Sequence, residues 1–216
     1  MDGVNGNVYL VIAGEELTLV DTGMPKNTEK ILGYIRELGW QPSDVSRILL
    51  THFHIDHAGS AYEIRKLTNA KIAIHQEDAD FVSGKKPAPI PKDFPRNLPR
   101  ASSSFSEFTP VQPDITLKQN DKVGALTVIH TPGHTPGSIS LYDPDRRLLF
   151  VGDAIRYTEG RITGPPEQFT LDMQQATRSI EIISQLNFDV MLSGHGEPLK
   201  PNASVRVREF YSTLSI

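Results

Sequence analysis

Residues 51–59 read THFHIDHAG, and the six positions from His52 to His57 hold three of the chain's seven histidines together with one aspartate. The run before them, 45–50, reads as a buried strand. Side chains alternate along an extended chain, so His52, His54 and Asp56 would share a face that His57 cannot join. The chain therefore has to bend after Ile55, and the bend lets adjacent residues aim at one point from different directions. Imidazoles and a carboxylate converging at the end of a buried strand suit a divalent metal, with neutral nitrogen and anionic oxygen as donors. A tetrahedral site needs more donors than this loop offers, so the fold has to bring others to it.

The chain contains no cysteine, which leaves nitrogen and oxygen donors only. Three further candidates stand at strand ends: HTPGHTPGS places His134 on a Pro-Gly turn after a strand at 126–129, LLFVGDA places Asp153 directly after a strand, and MLSGHGEP places His195 after another. Each repeats one arrangement of apolar strand, sharp turn and ligand-type residue. Taken singly, such residues are more often caps or surface groups; their common placement is what makes them candidates.

The rest of the chain alternates strands and helices, the pattern of an α/β fold. Runs at 8–12 and 17–20 read as a hairpin, and NTEKILGYIRELG as a helix capped by Asn27 or Thr28 and ended by Gly39. SAYE has capping-box spacing, with Ala61, Ile64 and Leu67 as the buried stripe of the helix that follows. Strands are expected at 71–74, 126–129, 139–142, 148–151 and 190–192, and helices at about 171–186 and from about 203. The segment 84–113 breaks this rhythm with seven prolines and with Phe94, Phe105 and Phe108. A loop of that length is either a lid or pocket wall, or a surface insertion.

At 216 residues the expectation is a single domain with its own core. A formal charge of −4 gives no basic surplus for nucleic acid or an anionic membrane, so a small-molecule partner is expected. The apolar run at 8–13 is too short for a signal core or a membrane span and no basic region precedes it, so a soluble, unexported, cytoplasmic protein is expected.

HFHIDH, followed in order by a lone His, a lone Asp after a strand and a final GH, resembles the metallo-β-lactamase superfamily, from VDTG at Asp21 to GHG at His195. The resemblance implies a four-layer αβ/βα sandwich of two mixed β-sheets flanked by helices, with a dinuclear metal site. It implies that His52, His54 and His134 hold one metal, that Asp56, His57 and His195 hold the other, and that Asp153 bridges them. Asp21 resembles the family's outer acid, which orients the histidines. Asp56, Asp153 and Tyr157 are the candidate catalytic residues, Tyr157 as a group that could lean over the site or simply pack. His75 and His130 are expected to be packed or hydrogen-bonded neighbours rather than ligands.

The implied chemistry is hydrolysis by a metal-bridging hydroxide, and the chain offers neither a GxSxG elbow nor a cysteine for covalent catalysis. Asp153 and the expected lack of a signal argue against antibiotic hydrolysis, and with 21 residues after His195 a helical domain of the glyoxalase II kind is not expected. A lactone, ester or thioester is the expected substrate, with phosphotriester turnover as a side activity. The alternative within the same resemblance is an iron-dependent oxidoreductase similar to the sulfur dioxygenases. Zinc is the first expectation for the two divalent metals, although the donors also accept iron and manganese. A homodimer contact through the proline-rich segment is compatible with its phenylalanines.

Overall fold

The computed structural model describes residues 6–92, 94 and 108–214, which cluster into two compact units: 6–88 with 108–117, and 89–92 and 94 with 118–214.

The first unit contains β1 (Tyr9–Ala13), β2 (Glu16–Val20), α1 (Thr28–Glu37), β3 (Val45–Leu49), α2 (Ile55–Ala58), α3 (Ala61–Thr68), β4 (Lys71–His75), α4 (Ala79–Val82) and β5 (Ile115–Leu117). Its sheet has the order β1-β2-β3-β4-β5. The β1–β2 hairpin is antiparallel, with Tyr9 opposite Val20, and the other pairs are parallel. Parallel neighbours require crossover connections. Here α1 links β2 to β3, and α2 with α3 links β3 to β4. Leu19, Ile48 and Ile72 of the strands pack with Ile31 and Ile35 of α1 and Ile64 of α3 in one buried cluster.

Two local expectations need correction. Ser60 does stand at the start of α3, yet its hydroxyl does not cap the helix. It donates to the Met24 carbonyl at 2.6 Å and accepts the Asn27 amide at 3.1 Å, so the pattern that reads as a capping box instead ties down the DTGMP turn. The buried stripe of α3 is Ala61, Ile64 and Thr68, while Leu67 is 52 % exposed. Leu67→Gln should therefore change unfolding free energy by no more than about 0.5 kcal/mol, which a urea titration would measure.

The second unit contains β6 (Lys122–Val123), β7 (Leu126–His130), β8 (Ile139–Asp143), β9 (Leu148–Gly152), β10 (Arg156–Thr158), β11 (Arg161–Thr163), α5 (Met173–Ser184), β12 (Val190–Ser193) and α6 (Ala203–Thr213). The main sheet runs β12-β9-β8-β7-β6, and β10 with β11 forms a separate hairpin. β12 lies parallel to β9; the other pairs are antiparallel. Asp172 caps α5 by accepting the Gln175 amide at 2.9 Å. Ile180 and Ile183 of α5, Phe188, and Val207 of α6 pack with Leu149, Val151 and Met191 of the sheet.

The described phenylalanines of the proline-rich segment each pack within their own unit. Phe94 stacks edge-on against Phe169 with ring centroids 6.0 Å apart. Phe108 packs on the cluster of the first unit. Phe105, and with it the middle of the expected lid, lies outside the described residues. Among the described residues no helix is long and apolar enough to cross a membrane.

Candidate metal centre

The first unit supplies four donors from one short stretch. β3 ends at Leu49, the backbone bends over residues 51–53, His54 returns to extended dihedrals (φ −61°, ψ 149°), and Ile55 opens the single helical turn α2. The bend thus begins at Thr51, well before Ile55 rather than after it, and the turn at Ile55 places Asp56 and His57 on helical backbone. Phe53 turns the other way: it is 2 % exposed and packs against Phe81 with centroids 5.0 Å apart. With Phe53 anchored in the core, its neighbours gather on the opposite side. The His52 ring lies 4.7 Å from that of His54 and 4.1 Å from that of His57. Asp56 Oδ2 stands 3.8 Å from His57 Nε2.

Asp21 fixes which nitrogens point at this gathering. Its Oδ2 receives His57 Nδ1 at 2.8 Å and the Thr51 hydroxyl at 2.8 Å, and its Oδ1 accepts the Thr51 amide at 2.8 Å. Thr51 Oγ1 in turn lies 3.1 Å from His52 Nδ1. A carboxylate only accepts, so His57 carries its proton on Nδ1; the Thr51 hydroxyl donates its one hydrogen bond to Asp21, so its oxygen accepts from His52 Nδ1. Both rings are left with a basic Nε2, the form a metal needs. Asp21 does this from left-handed backbone (φ 61°) at the end of β2, a conformation that Asp and Asn adopt more readily than most residues. Gly6, also at positive φ, lets the backbone lie directly on the Asp56 carbonyl, where a Cβ would collide.

The second unit supplies three donors from three strand ends. Asp153 follows β9 and is 4 % exposed. The Gly194 amide bonds the Gly152 carbonyl at 2.6 Å, so the turns that carry His195 and Asp153 are stitched together. Gly196 adopts φ 93°, and a Cβ there would meet the Tyr157 carbonyl. His134 Nε2 stands 3.6 Å and His195 Nε2 3.4 Å from the same oxygen, Asp153 Oδ2. The Thr51 device recurs at His134: the Thr170 hydroxyl donates to the Pro166 carbonyl at 2.8 Å and stands 3.2 Å from His134 Nδ1. It therefore accepts at Nδ1 and leaves His134 Nε2 basic.

The residues present fit divalent metals on the chemistry of the donor set. Three histidines, His52, His57 and His134, are oriented through Nδ1 so that Nε2 carries the lone pair, and the accompanying oxygens are carboxylates. No thiolate competes, and such a set accepts zinc, iron or manganese.

The other singled-out residues have structural partners. The Tyr157 hydroxyl accepts from Arg206 Nη2 at 3.3 Å, and the same guanidinium lies 4.8 Å from the centre of the tyrosine ring. His75 is buried, with the Glu77 amide 3.4 Å from its Nδ1. His130 Nε2 bonds the Pro136 carbonyl at 2.9 Å.

Two residues escaped the sequence reading. Asp78 is wholly buried in the first unit, and its Oδ2 accepts the Phe53 amide at 3.1 Å, between His52 and His54. The signal was a carboxylate three residues past His75, which is indistinguishable from a helix cap. Asp78→Ala leaves that amide without its acceptor, so metal affinity should fall by roughly 10-fold, as for other outer positions, and Asp78→Asn, which keeps an acceptor, should restore much of it; titration against a chromophoric chelator measures both. The second is Arg156, whose Nη2 lies 2.7 Å from Asp153 Oδ2.

Comparison with known proteins identifies the family. The profile of the metallo-beta-lactamase superfamily matches residues 1–195, and the chain belongs to that superfamily. It is 30 % identical over 220 residues to "Probable metallo-hydrolase YflN" of Bacillus subtilis, covering 89 % of this chain and 81 % of that protein. It is 29 % identical over 211 residues to "Acyl-coenzyme A thioesterase MBLAC2" of Bos taurus, covering 89 % and 74 %. Among solved structures, the metallo-beta-lactamase family protein TTHA1429 of Thermus thermophilus aligns with a TM-score of 0.76 at 24 % identity, over 96 % of this chain and 73 % of that one. TTHA1623, solved in a di-iron-bound form, aligns with a TM-score of 0.74 at 24 % identity, over 97 % of each. The mixed-sheet α/β fold implied by the sequence is thus the metallo-β-lactamase fold.

Proposed function

We propose that this chain is a dinuclear metal-dependent hydrolase that cleaves a thioester, or a related ester, of a small acyl group. The observation that carries the reading is the set of imidazoles held as Nε2 bases in both units, with carboxylates beside them: His57 on Asp21, His52 on Thr51 and His134 on Thr170. In the proposed ligand sets, His52, His54 and His134 hold one metal, Asp56, His57 and His195 hold the other, and Asp153 is shared. Membership of the superfamily and the likeness to proteins named as metallo-hydrolases support hydrolysis. The likeness to a named acyl-coenzyme A thioesterase favours a thioester over a lactone.

Bound there, zinc or another divalent metal would supply a Lewis acid and a water whose pKa is lowered toward about 7. The chain's own part is to keep the donors deprotonated and aimed. Asp21 and Thr51 hold two imidazoles in one tautomer, Thr170 holds a third, and Phe53 and Asp78 fix the backbone between His52 and His54. Such locking of ligands before substrate arrives is what gives a metal site its affinity and reactivity. Tyr157, engaged by Arg206, is a packing residue in this account.

The test is a substrate panel of acyl-coenzyme A thioesters, aryl esters, lactones and a phosphotriester, with oxygen uptake followed in parallel. Thioester hydrolysis that a chelator removes and added zinc restores is expected. Oxygen consumption by an iron-loaded protein without hydrolysis would replace this reading by the oxidoreductase one.

A further inference from the structure

Arg156 faces two ways. Through Nη2 it holds Asp153 Oδ2 at 2.7 Å, and it also forms part of the wall of a pocket of about 540 Å³ within the second unit. Thr163 of β11 and Pro165 continue that wall, and Met173, Thr177 and Ile180 of α5 close it. These α5 positions are spaced to lie on one helix face. The volume falls in the range of small-molecule sites. Pro166, also in the wall, accepts the Thr170 hydroxyl that orients His134, so the pocket's lining is bonded directly to one proposed ligand, Asp153, and through Thr170 to a second, His134.

The lining contains a single cation and, among the described residues, no carboxylate. Arg156 spends one of its five N–H donors on Asp153, and its side chain stays 23 % exposed. A guanidinium with donors to spare at the end beside Asp153, and the apolar surfaces of Met173, Ile180 and Pro165 beyond it, match a carboxylate with a short aliphatic tail. That is the acid released by hydrolysis of an acyl thioester. Water's oxygen bonds to the acyl carbon, the C–S bond breaks, the thiol takes one proton, and the acid leaves as carboxylate and a second proton.

We propose that this pocket is the acyl subsite: the chain of the acyl group lies along α5, and Arg156 receives the carboxylate as it forms. The proposal rests on the thioesterase reading above and adds to it a location and a selecting residue. It makes Arg156 the group that holds product and α5 the element that sets chain length.

The zinc-loaded protein should be titrated with hexanoate while the methionine methyl signals are followed by NMR. The Met173 methyl should shift saturably, and that of Met191, wholly buried and outside the pocket, should not. Arg156→Leu should weaken hexanoate by about 10-fold or more, as expected for a lost charge-assisted pair. Metal content is determined alongside, since Arg156 touches Asp153. Thr177→Phe, which narrows the pocket and touches no proposed ligand, should weaken hexanoate and lower the ratio of hexanoyl to acetyl thioester turnover by about 10-fold, the scale on which a filled apolar pocket discriminates. Thioester turnover with no Met173 shift, or with a shift indifferent to Arg156→Leu and Thr177→Phe, overturns the subsite and leaves the thioesterase reading standing. An Arg156-dependent shift in a two-metal protein that hydrolyses no thioester overturns the acyl assignment through the function it rests on.

Discussion

Asp153→Ala should lower turnover by on the order of 1,000-fold, well beyond the 10–100-fold typical of residues that only support ligands. Two imidazole nitrogens and a guanidinium converge on one oxygen of this carboxylate, at 3.6, 3.4 and 2.7 Å. Removing it leaves Arg156 facing His134 and His195 with no anion between them, which raises the cost of bringing any further cation there. Tyr157→Phe and His75→Ala should each cost less than about 10-fold, since one loses a bond to Arg206 and the other a contact with the Glu77 amide, at the edge of what outer positions contribute. Steady-state rates, metal content and circular dichroism on the three variants separate the cases. Similar losses in all three, with folding intact, would mean that Asp153 is not the shared ligand.

Asp21→Asn should be the next most damaging change, although it alters a residue proposed to touch neither metal nor substrate. Asn keeps the size of the side chain and tolerates the left-handed backbone found at this position. What it cannot keep is two accepting oxygens. With its carbonyl on the Thr51 amide, its NH₂ would face His57 Nδ1 and the Thr51 hydroxyl, both of which now donate to Oδ2. His57 would then have to accept at Nδ1 and carry its proton on Nε2, the nitrogen meant for the metal. The relay through Thr51 to His52 would reverse as well. Metal affinity should fall by roughly 10–100-fold, and activity by on the order of 100-fold or more, as for a wrongly protonated catalytic imidazole. Nitrogen-15 chemical shifts of the histidines would display the tautomer directly. An unchanged His57 tautomer with weakened metal binding would show that Asp21 acts through packing instead.

The contrast between these residues shows what the sequence exposes. HFHIDH is legible because a dense run of imidazole has few uses other than a metal, and His134, Asp153 and His195 become legible by following apolar strands in a fixed order. Asp21 reads only through the VDTG resemblance, since its partners Thr51 and His57 lie 30 and 36 positions away. Asp78 and Arg156 carry no pattern: one looks like a helix cap, the other like any charge on a strand, and their meaning comes from the atoms that tertiary packing sets against them. The same holds for structure. The long amphipathic helices and buried strands show their period, whereas β6, β10, β11 and the single turns α2 and α4 are too short to have one and are fixed by their neighbours. Ser60 illustrates the competition: a hydroxyl at capping distance from Glu63 in sequence is claimed by Met24 and Asn27 in space.

The central claim, a hydrolytic centre built from seven side chains that share two metals, is tested most directly by counting metal and activity together. Protein purified without chelator should contain two divalent metals per chain by elemental analysis, as a two-metal hydrolytic site requires. Stripped with chelator and titrated with zinc, it should regain thioester hydrolysis in proportion to filling of the second equivalent, not the first. Full activity with a single metal, or with none, would contradict the account.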